Sequence, residues 1–413
     1  MIEQLLNGFR KKVYALFSAA DPVNNLPARD LYIQFFNPGV PLSAADLDFS
    51  LSNSDSARAT AAFARLSNTL PDRWSSPDTP LWSIFDQILT QTALAQNSLS
   101  QAEQQKLQQA RDLLVQHKTV TTSDGPVESI IETAQYAMYK QLMTAYERAR
   151  LKYNNLKITA QYSSDPKDQS LWQLNEPVYR EALSRYYGDW VSRGSKNDIE
   201  SAIQFIDQVT GRGPGLRWKT MKDDFSISKR SSPSGNTYYD TQLQPSNIAR
   251  QSSKSWIELS CNLAEADQLN QAIADDGVNT DADNAGLDAQ SLSVELLQAF
   301  LTRPWFDASV FNSRAWKWSA DSGISQPLSS GQWPPPSPSG LMPVYPVSVI
   351  FARKLHLSGV SGAAGQTSAG PFHLPEGSAS GADVTADGLQ LIGLICAKVP
   401  HSPDPDPGLQ WLQ

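Results

Sequence analysis

The densest run of side chains with chemical potential is acidic: Asp275-Asp276-Gly277, then Asp281-Ala282-Asp283-Asn284-Ala285-Gly286-Leu287-Asp288. Alternate oxygen ligands followed by a turn glycine describe a calcium loop, with Asp281, Asp283 and Gly286 in register. Ala285 falls where a third ligand belongs, and Leu292 stands where a bidentate glutamate would close the site. The run therefore reads as a solvated acidic loop, and no metal is expected in it.

Four histidines are present, His117, His356, His373 and His401, and no two share the i, i+4 spacing of a helical zinc site. A Ser/His/Asp or Cys/His triad assembles in space, so its members need not be neighbours in sequence. No Gly-x-Ser-x-Gly elbow marks a nucleophile. Gly211-Arg212-Gly213-Pro214-Gly215 has the glycines of a phosphate-cradling loop but lacks its Lys-Ser/Thr ending, and Pro214 removes an amide such a cradle uses. Cys261 and Cys396 lie far apart among apolar residues, the pattern of buried free thiols rather than a disulfide framework. No cofactor is implied.

The second concentration is aromatic. Arg303 to Trp318 gathers Trp305, Trp316, Trp318, Phe306, Phe311, Arg303 and Arg314 within sixteen residues. As core, these rings bury large apolar areas, with the arginines stacked or paired with acids. As a protein interface, they supply the Trp and Arg anchors of hot spots. As a glycan platform, Trp318 and the downstream Trp333 would offer flat faces to sugar rings. The core reading takes precedence. For the binding readings the candidate residues are Arg303, Trp305, Arg314, Trp316, Trp318 and Trp333.

At 413 residues, two domains are the natural expectation. Only 18% of residues are charged and 40% are hydrophobic, the balance being Ser, Gln, Asn, Thr, Pro and Gly, so a globular chain with long polar connections is expected. The net charge of −8 is unevenly placed: 26 Lys+Arg face 25 Asp+Glu up to Arg230, and 8 face 17 beyond it. An acidic C-terminal half argues against nucleic acid, whose binding rests on neutralising phosphates. No run of eighteen apolar residues exists, so no transmembrane helix is expected. Glu3 comes early and Arg10, Lys11 and Lys12 in the middle of the first helix, unlike a secretory leader. Cytoplasmic synthesis is expected, with release or leaderless export as the alternative.

These residues need elements to hold them. Ile2, Leu5, Leu6, Phe9, Val13, Leu16 and Phe17 recur at helical steps, with Arg10, Lys11 and Lys12 opposite. Such a helix docks on the protein surface, or lies on an anionic membrane surface through residues 2–17. Leu31 to Phe36 reads as a strand closed by Asn37-Pro38-Gly39. Helical patterns follow over 54–70, from Leu81, over 101–117, from Ile130 to about Ala160, over 171–191, and over 197–210 with Asn197 or Asp198 as cap. The helix from Ile130 is the longest, and beside the Gln-rich 101–117 segment it suggests an elongated helical hairpin.

Lys229 to Tyr239 is Ser- and Gly-rich and marks a linker. Beyond Arg230 fall 16 of the 27 prolines and 15 of the 23 glycines, as short strands with frequent turns require. Strands are expected at 255–264, 292–301, 347–357 and 389–396, joined by the Pro-rich 332–338 and Gly-rich 359–387 crossings and closed by an extended acidic tail at 403–408.

The fold class expected is α+β: a mainly helical region 1–230 and a β-rich region 231–413 built as an antiparallel sheet or sandwich. A non-enzymatic binding or self-assembly protein, partnered by another protein or by itself, is the leading expectation. The alternatives are a toxin-like, membrane-active pore former with a β-rich receptor-binding domain, and a hydrolase built on scattered Asp, Glu and His.

Overall fold

A computed structural model describes residues 1–49, 53–71, 74, 78–122, 125–279, 287–335, 340–362 and 365–411. The candidate calcium-loop positions Asp281, Asp283 and Gly286 lie outside them.

The N-terminal part runs α1 (Ile2–Ser18), β1 (Leu31–Pro41), α2 (Ser54–Ser67), α3 (Leu81–Thr90), β2 (Thr92–Leu94) and α4 (Gln101–Leu114). The hairpin β3 (Val115–Thr122) and β4 (Gly125–Glu132) follows, then α5 (Ala134–Tyr162), α6 (Pro166–Ser192), α7 (Lys196–Arg212) and α8 (Pro214–Ile227). The C-terminal part is mostly strand: β5 (Lys229–Ser231), β6 (Thr237–Tyr239), β7 (Gln242–Gln244), β8 (Ile257–Asn262), one helix α9 (Leu263–Ala272), and β9 (Ser291–Thr302). It ends with β10 (Trp316–Trp318), β11 (Val344–Ser358), β12 (Ser368–Ala369), β13 (Phe372–His373), β14 (Ala379–Ser380), β15 (Asp383–Ala386) and β16 (Gln390–Lys398).

The fold is α+β with one antiparallel sheet of eight described strands rather than a two-sheet sandwich. β11 is its axis, pairing with β9 on one side and with β16, then β15, on the other; β1 extends the sheet beyond β16, and β8 and β7 extend it beyond β9. The sheet is covered on both faces. Ile33, Ile350, Ala352, Ile392 and Ile395 meet α1 and α9, while Tyr32, Val349, Phe351, Leu394 and Cys396 meet α2 and the aromatic residues around Trp74 and Trp333. Burial on both faces is why the strands read as continuous apolar runs. Burial does not alternate along 347–357: Ser348 to Ala352 is buried without a break.

The first helix is not a surface helix. Arg10, Lys11 and Lys12 are buried with the apolar residues. Lys12 Nζ meets Glu265 Oε1 at 2.6 Å and the Ser260 carbonyl at 2.7 Å; Lys11 Nζ meets Asp275 Oδ1 at 2.9 Å. A membrane-lying arrangement of residues 2–17 needs those cations outward, and in this fold α9 and the sheet cover them. Gly8 makes the approach possible: a Cβ there would stand 2.4 Å from the Ala266 Cα.

The division at residue 230 follows composition; packing crosses it. β1 pairs with β16, α1 lies under the sheet, and Tyr238 and Tyr239 of the expected linker form β6 and are buried with α3 and α8. Other elements differ from expectation in detail. The 101–117 helix ends at Leu114 and turns into the β3–β4 hairpin, the Gly211–Gly215 segment joins two helices, and Ser195, not Asn197 or Asp198, precedes α7. The elongated helical hairpin exists, but the partner of α5 is α6.

Candidate functional site

The Arg303–Trp318 stretch goes mostly inward. Trp305 is 1% exposed and Trp316 fully buried, joined by Phe85, Trp218, Phe225 and Tyr239 in one aromatic core. Their ring nitrogens are satisfied, Trp305 Nε1 donating to the Asp240 carbonyl at 2.8 Å and Trp316 Nε1 to the Val310 carbonyl at 2.7 Å. Arg303 is buried and donates to three neutral oxygens, Asn68 Oδ1 (2.5 Å), Pro346 O (2.7 Å) and Ser67 O (3.2 Å). Burial pushes its pKa down to about 10, against the opposing pull of the Tyr345 phenol.

The remaining candidates separate. Trp318 stacks edge-on against Trp316 at 5.2 Å and is half-buried. Arg314 is exposed and pairs with Asp404 at 3.2 Å, which docks the acidic tail; Trp411 bridges to Ala95 and lies under Lys317. The tail is therefore held against the body. Trp333 stands elsewhere, with Tyr32, Trp74 and Lys398, its ring 5.1 Å from Trp74 and tilted 65° to it. The six residues do not converge on one surface, and tilted rings do not form a flat sugar platform.

The titratable groups sort into structural ties. Arg150 donates to the Phe17 and Ala19 carbonyls at 2.9 and 2.7 Å, capping the negative end of α1. Glu147, fully enclosed between Arg150 and Arg29, is raised by burial but held below the usual carboxylate range by the two guanidiniums. Tyr146 donates to Asp21, and both burial and that hydrogen bond push its phenol well up. Cys261 is a buried free thiol pushed up to about 12 by burial and by Glu265, which leaves it unreactive. Cys396 is likewise buried and free.

The histidines are dispersed. His117 meets Glu128 at 3.1 Å on the β3–β4 hairpin, His401 approaches the Ser330 carbonyl, and His373 is held through its backbone by Gln390. His356 lies 3.6 Å from Asp383, both about half exposed on the sheet rim. A cavity of about 210 Å³ between α2 and the β5–β6 turn is lined by Arg58 and Arg65, but Arg58 is already paired with Asp55 at 3.0 Å. Another of about 290 Å³, between α1 and α5, is lined by Tyr14, Ile158, Tyr162 and Ile273. Neither is lined by a histidine. Among the described residues no group of three or more metal-ligating side chains forms, and no helix is long and apolar enough to cross a membrane.

One surface stands apart. α6 begins at Pro166, with Asp165 accepting from the Lys167 amide at 2.9 Å, and runs 27 residues. Its inner side carries Trp172, Tyr179, Leu183, Tyr186 and Trp190, packed on Tyr139, Tyr146 and Tyr153 of α5. Only Leu183 and Trp190 of the whole helix are buried. A second side, about 120° round the helix at 100° per residue, exposes Leu171 (48%), Leu174 (74%) and Val178 (65%), spaced by three and four residues. A helix with two separate apolar stripes has two faces to cover, and here one is uncovered.

Sequence reasoning placed a helix over 171–191 but assigned it no faces. The signal was available: Trp172, Tyr179 and Tyr186 repeat every seven residues, as do Tyr139, Tyr146 and Tyr153, while Leu171, Leu174 and Val178 fall on a separate arc of the helix.

No protein-family model, no curated protein and no solved structure matches this chain.

Proposed function

We infer that the protein is a non-enzymatic binding and assembly protein whose contact surface is the outer face of α6. The observation that carries this reading is the exposed Leu171–Leu174–Val178 stripe on a long helix already anchored by a separate aromatic seam. Apolar side chains at this spacing match helix-mediated recognition, in which i, i+3 and i+7 anchors seat against a second helix. The α5–α6 hairpin supports the stripe rigidly, so little order has to be gained on binding.

Size-exclusion chromatography with light scattering tests this. The wild type gives species larger than the monomer as concentration rises, and Leu171→Ser/Leu174→Ser/Val178→Thr returns it to monomer without altering its thermal melt. A wild type that stays monomeric throughout, or association untouched by the triple change, overturns the reading. Vesicle leakage distinguishes the pore-forming alternative, because an assembly protein leaves liposomes intact.

A further inference from the structure

We propose that the occupant of the α6 stripe is a second copy of this chain, with the two α6 helices antiparallel about a two-fold axis at Leu174. The inference rests on the assembly reading above and adds its partner and register. Lys167, Leu171, Leu174, Val178, Glu181 and Arg185 fall within one narrow arc of α6 at 100° per residue, and all six are exposed. Lys167 lies seven residues before Leu174 and Glu181 seven after it.

A two-fold axis through Leu174 therefore brings Lys167 of each copy beside Glu181 of the other. The same operation sets Leu171 against the Pro177–Val178 turn of the other copy. The stripe is thus self-complementary, apolar at its centre and oppositely charged at equal distances from it, which is what an isologous contact requires. A parallel pairing in register stacks Lys167 on Lys167 and Glu181 on Glu181, which disfavours it. Neither Lys167 nor Glu181 is committed to an ion pair with another described residue, whereas the neighbouring Arg180 is held by Glu176. The contact is short, so the dimer is weak and concentration-dependent.

The test combines charge exchange with cross-linking in the full chain. K167E or E181K alone places like charges together at both ends of the contact and weakens dimerisation at least tenfold in sedimentation equilibrium. The double exchange K167E/E181K restores it. Leu174→Cys forms a disulfide-linked dimer under mild air oxidation, while Gln173→Cys, exposed but off the stripe, does not; Cys261 and Cys396 are buried and give no background. If association is lost in the triple apolar variant yet the double exchange fails to rescue and Leu174→Cys does not cross-link, the register is wrong and the assembly reading survives. If the wild type does not associate at all, both fall.

Discussion

Lys12 Nζ lies 2.6 Å from Glu265 Oε1, with the side chains 0% and 5% exposed between α1 and α9. A buried pair of this kind is costly to break, because removing one partner strands the other charge in a poorly solvated place. Lys12→Met is expected to destabilise the fold by about 3–5 kcal/mol in urea denaturation. Lys12→Met/Glu265→Leu should recover most of that loss, since paired apolar replacement removes both desolvation costs. A double variant no more stable than the single one would mean that the Lys12 bond to the Ser260 carbonyl is the dominant tie.

Trp305 and Trp316 are core. Truncating either to Ala should cost about 3–5 kcal/mol, the range for emptying a large aromatic site. Trp318→Ala, at a half-buried position, should cost clearly less. Chemical denaturation of the three variants checks the order, and equal small losses would return the stretch to the surface.

Asp240 sets a pH dependence. Burial raises its carboxyl to about 6 from an ordinary 3.8, against the Arg230 guanidinium that pulls it down. The folded state therefore holds this proton more tightly than the unfolded chain. The stabilisation it confers is complete below about pH 4 and is lost as pH rises through 6, on the order of 3 kcal/mol in all. Relative to Asp240→Asn, the wild type should lose stability between pH 4 and pH 7; a flat difference across that range contradicts the assignment.

How much of this was legible follows from where the physical signals lie. The α+β class, the strands at 257–262, 291–302 and 390–398, and the long helix over 134–162 come from apolar patterning, which is local: unbroken apolar runs for the buried strands and three- and four-residue steps for the helix. The β3–β4 hairpin was missed although Asp124-Gly125 is a strong turn signal, because Val115 to Thr122 is too polar to show a buried face. The burial of Lys11 and Lys12 was not legible, since their partners Asp275 and Glu265 stand more than 250 residues away. The placement of the candidate site residues was not legible for the same reason. Aromatic density in Arg303–Trp318 indicated importance, but whether a ring faces core or solvent depends on Phe85, Trp218 and Phe225, contributed by distant elements. The heptad spacing of Trp172, Tyr179 and Tyr186 marks one face of α6 in the sequence, but that the Leu171–Val178 stripe stays uncovered is visible only once α5 is known to pack on the aromatic face.

Amide hydrogen exchange at low and high protein concentration maps the contact surface most directly. Protection should increase with concentration over 167–181 of α6 and remain unchanged over 303–318, because the latter is core in both states. Concentration-dependent protection at the Trp-rich stretch instead of α6, or none on α6 at any concentration, would contradict a helix-face assembly protein.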